Sequence, residues 1–141
     1  MKQLIAICLA GLVTACAHLS SSSESSLYDA LGGAPTVEKV TDYFIDEISF
    51  DRAVFAYFKD SDIARFREKF IEHFCATTGG PCAYTGDDMH TVHRGMQINE
   101  ADFNRTVDCL IAAMTRAGIA HRLQNQVLQR LAPMREEMLY Q

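Results

Sequence analysis

The side chains with the most distinctive chemistry in this sequence are two histidines that lie three positions apart, His90 and His93. A neutral imidazole is the commonest metal ligand among protein side chains. When one ring nitrogen binds a metal, the other usually donates to a backbone carbonyl or a carboxylate, which fixes the ring. His93 follows Met89 by four residues, so on a helix the two side chains share a face. The alternative interpretation of either histidine alone is a surface residue on a short polar helix.

Start and stop signals for helices divide the chain that surrounds these histidines. Apolar residues recur at three- and four-residue spacing, as in Val37, Val40, Phe44 and Ile48, which is typical of one buried helix face. Because no segment alternates apolar and polar residues with a period of two, the predicted fold class is all-α. The predicted boundaries are, in chain order, a cap at Ser25 or Ser26, a stop at Gly32-Gly33, Pro35 in a first turn, a short helix around Val54 to Phe58, a cap at Ser61 or Asp62, a stop at Gly79-Gly80-Pro81, a cap at Asn99, a stop at Gly118 and a kink or break at Pro133.

The composition indicates one small acidic domain. The chain has 141 residues, of which 48% are hydrophobic, and this is enough for a single core. Its net charge of -5 gives no basic surface for nucleic acid, so we expect no nucleic-acid partner. A surface of this charge keeps a protein soluble, and we expect a monomer.

The N-terminal segment has the pattern of an export signal. Lys2 precedes an apolar run over residues 4–13, which is shorter than the roughly 20 residues that span a bilayer. The sequence Leu12-Val13-Thr14-Ala15-Cys16 resembles the lipobox of bacterial lipoproteins, which implies removal of residues 1–15 and lipidation of Cys16. An ordinary secretory signal with an incidental cysteine is the alternative. We predict a Ser-rich tether over residues 16–25, a folded domain over residues 26–141, and a lipid-anchored protein of the cell envelope that faces the periplasm.

Two further cysteines bracket a tight turn. Cys75 and Cys82 lie seven residues apart around Gly79-Gly80-Pro81, and in an exported protein such a pair is a candidate for a disulfide. Cys109 lies in an apolar helical stripe and is predicted to be a buried free thiol. A zinc site built from Cys75, Cys82, His90 and His93 is the alternative, but these residues lack the paired spacing of structural zinc sites.

Several short motifs follow one another along the chain at spacings that match a known family. They are Tyr28 with Leu31-Gly32-Gly33, then Gly79-Gly80-Pro81, Tyr84-Thr85-Gly86, Met89, His93-Arg94-Gly95-Met96, Ile98 and Phe103. In this register the sequence resembles the group I truncated haemoglobins over essentially all of residues 26–140. The resemblance implies a two-over-two helical sandwich around a haem, with His93 as the proximal iron ligand and His90 on the surface. His90 is the alternative ligand, since it lies only three residues before His93. Because the sequence has no Cys-x-x-Cys-His motif, we expect a non-covalent haem b.

The resemblance also assigns side chains to the wall of the haem pocket. It places Phe58 on the haem face and puts Lys69 and Tyr84 where polar groups often reach the haem propionates. It places four residues on the proximal side, namely Met89, Met96, Ile98 and Phe103. Ordinary core packing explains each of these apolar positions nearly as well.

The distal side departs from the family pattern. Ile45 stands where many members carry a tyrosine, and Phe66 and Phe70 stand where glutamine or another polar residue is frequent. These three side chains offer no hydrogen-bond donor to a bound gas, so we expect weak retention of oxygen. Carbon monoxide and nitric oxide depend less on such a hydrogen bond. Two residues leave alternatives open. His73 could donate a hydrogen bond to the bound gas, bind the iron as a sixth ligand, or lie at the edge of the pocket. Lys69 could bind the iron, or it could contact a haem propionate or solvent.

The resemblance implies a haem protein that binds diatomic gases, with oxygen binding or transport as its first function. Dioxygenation of nitric oxide to nitrate is a second function, and it requires a retained oxygen and an electron donor. A third possible function is electron transfer or haem transfer at the cell envelope. The apolar distal residues weaken the second function.

Overall fold

The computed structural model describes residues 25–141. The predicted signal peptide, the predicted lipidation site at Cys16 and residues 16–24 of the predicted tether lie outside this part of the chain. Within residues 25–141 no helix is both long enough and apolar enough to cross a membrane.

The described residues form eight α-helices and one 3-10 helix. The bounds are α1 Leu27–Leu31, α2 Ala34–Phe50, α3 Arg52–Phe55, α4 Ile63–Thr77, α5 Met89–His93, α6 Glu100–Arg116, α7 His121–Leu131, the 3-10 turn Ala132–Met134 and α8 Arg135–Met138. The only β-type pairing in this part of the chain is an isolated bridge between Ile98 and Leu139. The all-α prediction is confirmed.

Side-chain caps begin the helices at the predicted places. Ser26, rather than Ser25, caps α1 and forms a reciprocal capping box with Asp29. Asp62, rather than Ser61, caps α4 by accepting from the Arg65 backbone N–H at 3.0 Å. Asn99 caps α6 by accepting from the Asp102 backbone N–H at 3.0 Å. These bonds satisfy amide groups that the first turn of a helix leaves unpaired, so the local sequence fixes each start.

Two helix ends refine the prediction. Helix α3 stops at Phe55, because the amides of Tyr57 and Phe58 bond to carbonyls only three residues back and the chain leaves the α-helical path. The last helical region breaks at the 3-10 turn that contains Pro133, as predicted from the missing proline N–H.

Helix α2 is the centre of the core. Val37, Val40, Phe44 and Ile48 are all buried, as their spacing predicts. Helices α3, α4 and α6 pack on α2, and α6 adds Leu110, Ala113 and Met114 to the same core. Because α4 and α6 share this support, α2 positions two of the helices that carry predicted site residues.

The Gly79-Gly80-Pro81 turn packs against α1. A Cβ atom on Gly80 would lie 2.6 Å from the Cys75 Sγ atom and 2.7 Å from the Tyr28 ring, so only glycine fits at this position. The Tyr28 backbone N–H also donates to the Thr78 carbonyl at 2.9 Å. Two motifs that lie fifty residues apart in the sequence are therefore in direct contact.

Candidate functional site

His93 is the last residue of α5, a single helical turn that Asp88 caps. The two carboxylate oxygens of Asp88 accept from the backbone N–H and the hydroxyl of Thr91, each at 2.9 Å. The Nδ1 atom of His93 lies 2.7 Å from the Met89 carbonyl oxygen. A carbonyl can only accept, so Nδ1 is the donor in this contact, and Nε2 is the ring nitrogen left to bind a metal. His93 and Met89 are half-buried, whereas His90 is exposed.

A row of five phenylalanines runs along α4 and its neighbours. Phe66 lies 4.9 Å from Phe58 between ring centroids, and Phe70 lies 4.9 Å from Phe44. Phe66 and Phe70 are 5.7 Å apart, and Phe74 continues the row at 5.9 Å from Phe70. These distances are those of edge or tilted aromatic packing, which adds specific geometry to apolar burial. The predicted residues Phe58, Phe66 and Phe70 therefore form one apolar wall.

A small cavity lies beside this wall. Its volume is about 120 Å³, and Ile45, Phe58 and Phe66 line it together with Ile48, Ser49, Phe55 and Ile63. Ser49 supplies the only polar side chain among these residues, and its hydroxyl donates to the Asp46 carbonyl at 2.6 Å. The three predicted distal residues Ile45, Phe66 and Phe70 thus lie in an apolar neighbourhood, where Phe70 packs on Phe66.

His73 lies one turn beyond Phe70 on α4 and packs edge-on against Tyr84, with ring centroids 5.1 Å apart. Burial lowers the pKa of His73 below its ordinary 6.5, so the ring is neutral at pH 7. Tyr84 donates its hydroxyl to the Asp87 carbonyl at 2.7 Å, and burial raises the pKa of Tyr84. This pair joins α4 to the loop that leads to α5.

Lys69 is held by polar partners on α4 and on the same loop. Its ammonium donates to Glu68 at 2.9 Å, to Glu72 at 3.0 Å and to the Thr85 hydroxyl at 2.7 Å. Glu72 in turn accepts from the Thr85 backbone N–H at 3.0 Å and from its hydroxyl at 2.8 Å. Lys69, Glu72 and Thr85 form a polar clasp between α4 and the loop, and Thr85 and Glu72 are site residues that the sequence did not predict.

The clasp predicts a dependence of stability on pH. Hydrogen bonds from the Thr85 N–H, the Lys69 ammonium and the Thr85 hydroxyl lower the pKa of Glu72 from 4.5 to about 2. A carboxyl with a lowered pKa stabilises the fold fully above 4.5, and this contribution is lost as the pH falls from 4.5 toward 2. We expect the midpoint of urea unfolding to fall over this pH range less steeply in Glu72→Gln than in the unaltered protein. Parallel profiles for the two proteins would contradict the assignment.

Cys75 and Cys82 form a disulfide with their Cα atoms 5.8 Å apart. It ties the end of α4 to the start of the loop that carries Tyr84 and Thr85. Cys109 is a buried free thiol, and burial raises its pKa. No cluster of three or more His, Cys, Asp or Glu side chains suited to a metal ion exists within residues 25–141.

We expect the double variant Cys75→Ala/Cys82→Ala to lower the free energy of unfolding by roughly 2–3 kcal/mol, because the bridge restricts the unfolded chain. Denaturant unfolding with and without a thiol reductant measures the effect. Reductant should lower the midpoint of the unaltered protein and leave the double variant unchanged. A reductant effect of equal size on both proteins would assign the loss to something other than this bridge.

The remaining predicted residues lie toward the C-terminal segment. The Met96 backbone N–H donates to the His93 carbonyl at 3.1 Å, and Ile98 pairs with Leu139 while its carbonyl accepts from Tyr140. Phe103 on α6 lies under the Arg135 guanidinium, 5.5 Å from its ring centroid. Met96, Ile98 and Phe103 are each half-buried. These contacts place Ile98 and Phe103 beside the C-terminal segment that includes α8.

A family model of bacterial-like globins matches residues 26–140 of this chain. The chain belongs to the bacterial-like globin family. This globin is 30% identical over 122 residues to group 1 truncated hemoglobin GlbN of Mycolicibacterium paratuberculosis, which covers 86% of the chain and 90% of that relative. It is 28% identical over 115 residues to group 1 truncated hemoglobin GlbN of a Nostoc species, which covers 82% of the chain and 98% of the relative.

Solved structures agree on the fold of this globin. Truncated hemoglobin from Tetrahymena pyriformis in its Fe(III) form superposes with a TM-score of 0.80 at 23% identity, over 83% of this chain and all of that one. The 2/2 hemoglobin from Synechococcus, in the cyanomet state with covalently attached heme, gives 0.76 at 21% identity, over 82% of this chain and 98% of that one. At such identities the likeness establishes the fold alone, and it confirms the predicted truncated-globin architecture.

Proposed function

We propose that this globin holds a non-covalent haem b through His93 and binds oxygen, nitric oxide and carbon monoxide at its iron. The observation that carries the proposal is the His93 ring, whose Nδ1 donates to the Met89 carbonyl at 2.7 Å. That bond fixes the tautomer and the orientation of the ring, and it raises the basicity of Nε2. A haem iron with one such ligand supplies a coordination position for a diatomic gas.

The side chains of the site fit a flat apolar group. Phe58, Phe66, Phe70, Met96, Ile98 and Phe103 are large and apolar, yet each is only half-buried. Side chains of these types are usually found inside folded proteins, so their exposed area favours further cover by an apolar partner. Five of the six are aromatic or aliphatic residues without a polar atom, and Met96 adds a polarisable sulfur that packs well against rings.

The residues on the distal side favour reversible binding over catalysis. Ile45, Phe66 and Phe70 exclude water and donate no hydrogen bond to a ligand. Dioxygenation of nitric oxide requires oxygen to stay in the pocket until nitric oxide arrives, and it also needs an electron donor. We therefore place oxygen binding or transport first, with nitric oxide dioxygenation and envelope redox or haem transfer as alternatives.

His73 and Lys69 are both assigned to supporting roles in this proposal. The His73 ring packs on Tyr84 at the edge of the apolar wall. Two carboxylates and one hydroxyl hold the Lys69 ammonium, so release of this side chain toward the iron has to break three hydrogen bonds. Both side chains therefore shape the pocket edge rather than supply a sixth ligand.

Absorption spectra of the purified protein test the proposal in the ferric, ferrous and carbon monoxide forms. We expect the bands of a histidine-ligated haem, and we expect the same bands in His73→Ala and Lys69→Ala variants. Acid extraction with an organic solvent should then remove the haem from the protein. A chain that takes up no haem would overturn the proposed function. Haem that stays on the protein during the extraction would contradict only the prediction that the haem is non-covalent.

A further inference from the structure

Three large apolar side chains lie exposed at one end of the globin domain. Phe50 ends α2, Phe55 ends α3 and Ile63 begins α4, with exposed fractions of 81%, 44% and 41%. We call Phe50, Phe55 and Ile63 the apolar patch. Single exposed apolar residues are ordinary on a protein surface, whereas a group of large ones marks an interaction site.

The apolar patch is continuous with the small cavity beside the phenylalanine row. Phe55 and Ile63 line that cavity, and Phe50 follows Ser49, which lines it as well. Ile45, Phe58 and Phe66 line the same cavity. Apolar side chains therefore extend from the surface at the patch to the residues of the proposed gas pocket.

The charges of the segment that carries most of the patch are balanced. Between residues 51 and 65 the chain has three basic side chains, Arg52, Lys59 and Arg65, and three acidic ones, Asp51, Asp60 and Asp62. Asp60 lies 3.9 Å from Lys59, while Asp51 and Asp62 are engaged as helix caps. A partner of this face is therefore recognised by apolar contact and not by net charge.

We propose that the apolar patch docks on the surface of the lipid bilayer that anchors the chain through Cys16. The eight residues between Cys16 and Ser25 give nine Cα–Cα steps, which reach at most about 30 Å when extended. Helix α2, which leads from the α1 end of the domain to Phe50, is about 25 Å long at the rise of an α-helix. The segment is therefore long enough for a lipid on Cys16 and the patch at the other end of α2 to meet the same membrane.

Docking in this orientation turns the mouth of the cavity toward the acyl chains. Oxygen and nitric oxide are small apolar molecules that prefer hydrocarbon to water. This consequence rests on the proposed gas-binding function, whereas docking itself does not. The patch supplies a route by which gas dissolved in the membrane reaches Phe58 and Phe66 without crossing bulk water.

A single tryptophan reports on docking, because the chain contains none of its own. The reporter is Phe50→Trp, and the matched control is Tyr140→Trp, which replaces an aromatic residue that is 61% exposed in the C-terminal segment. Each full-length protein is isolated from membranes, and the mass of its N-terminal peptide establishes the lipid on Cys16. Each is then reconstituted into phosphatidylglycerol and phosphatidylcholine vesicles, with and without bromine on the acyl chains. For each protein, the tryptophan emission in brominated vesicles is divided by the emission in vesicles without bromine, and this ratio cancels any quenching by haem.

We expect brominated lipid to remove most of the emission of Phe50→Trp and little of that of Tyr140→Trp. High salt should leave this difference unchanged, because the segment that carries most of the patch is balanced in charge. Phe55→Trp, deeper at the cavity mouth, should follow Phe50→Trp. Equal ratios at positions 50 and 140 would overturn the docking proposal, whether or not haem spectra support the proposed function. Emission of Phe50→Trp that shifts with protein concentration in the absence of lipid would also overturn it, because a second copy of the chain would then cover the patch.

Discussion

The His93→Gly protein is expected to lose the absorption bands of a histidine-ligated haem, and imidazole added to the solution is expected to restore them. His93 holds its ring at the end of α5 through the bond from Nδ1 to the Met89 carbonyl. Removal of the side chain leaves the turn intact, because its cap is formed by Asp88 and Thr91. Free imidazole can occupy the vacated space and supply the same nitrogen ligand. Ferric and ferrous spectra over an imidazole titration measure both effects.

His90→Gly is the matched control for this experiment. His90 lies on the same helical turn but is exposed, so its loss should leave the spectra unchanged. The two variants remove the same side chain from one short helix, and they should have similar effects on helix stability. Loss of the bands in His90→Gly, with His93→Gly unaffected, would reverse the assignment of the proximal ligand.

The Ile45→Tyr protein is expected to release oxygen about 5- to 150-fold more slowly than the unaltered chain, since one hydrogen bond in a buried site is worth about 1–3 kcal/mol. Ile45 lies beside a cavity of about 120 Å³, which provides room for the larger ring. The cavity is lined by apolar side chains except for Ser49, so the new hydroxyl meets little competition from other polar groups. Stopped-flow displacement of oxygen by carbon monoxide measures the rate.

Ile45→Phe separates the hydroxyl from the ring in this comparison. Phenylalanine fills the same space as tyrosine without a donor, so Ile45→Phe should release oxygen as fast as the unaltered protein. Carbon monoxide depends less on a distal donor, and its release should change little in either variant. Slow oxygen release by the unaltered protein, as if a donor were already present, would contradict the apolar description of the distal side.

Local sequence determined the secondary structure of this globin closely. Ser26, Asp62 and Asn99 cap helices because a side-chain oxygen accepts from an amide two or three residues later. This bond is local and does not depend on the rest of the chain. Pro133 breaks the last helical region for an equally local reason. The bond from His93 to the carbonyl of Met89 spans four residues of one helix, so it also followed from the sequence. The disulfide was also predictable from the sequence, since its two cysteines flank a tight turn.

Contacts between distant segments were decided by the tertiary structure. Lys69 and Thr85 lie sixteen residues apart, a separation that gives no periodic signal, and neither Thr85 nor Glu72 was predicted as a partner of Lys69. Packing of α1 on the glycine turn sets Tyr28 against Gly80, and this contact together with the nearby Cys75 Sγ atom explains why position 80 must lack a side chain. Helical spacing puts Phe50 off the face that Phe44 shares with the core, but it does not tell whether another element covers Phe50, which the tertiary structure leaves 81% exposed. Burial depends on which neighbours cover each end of α2, and those neighbours come from α3, α4 and α6.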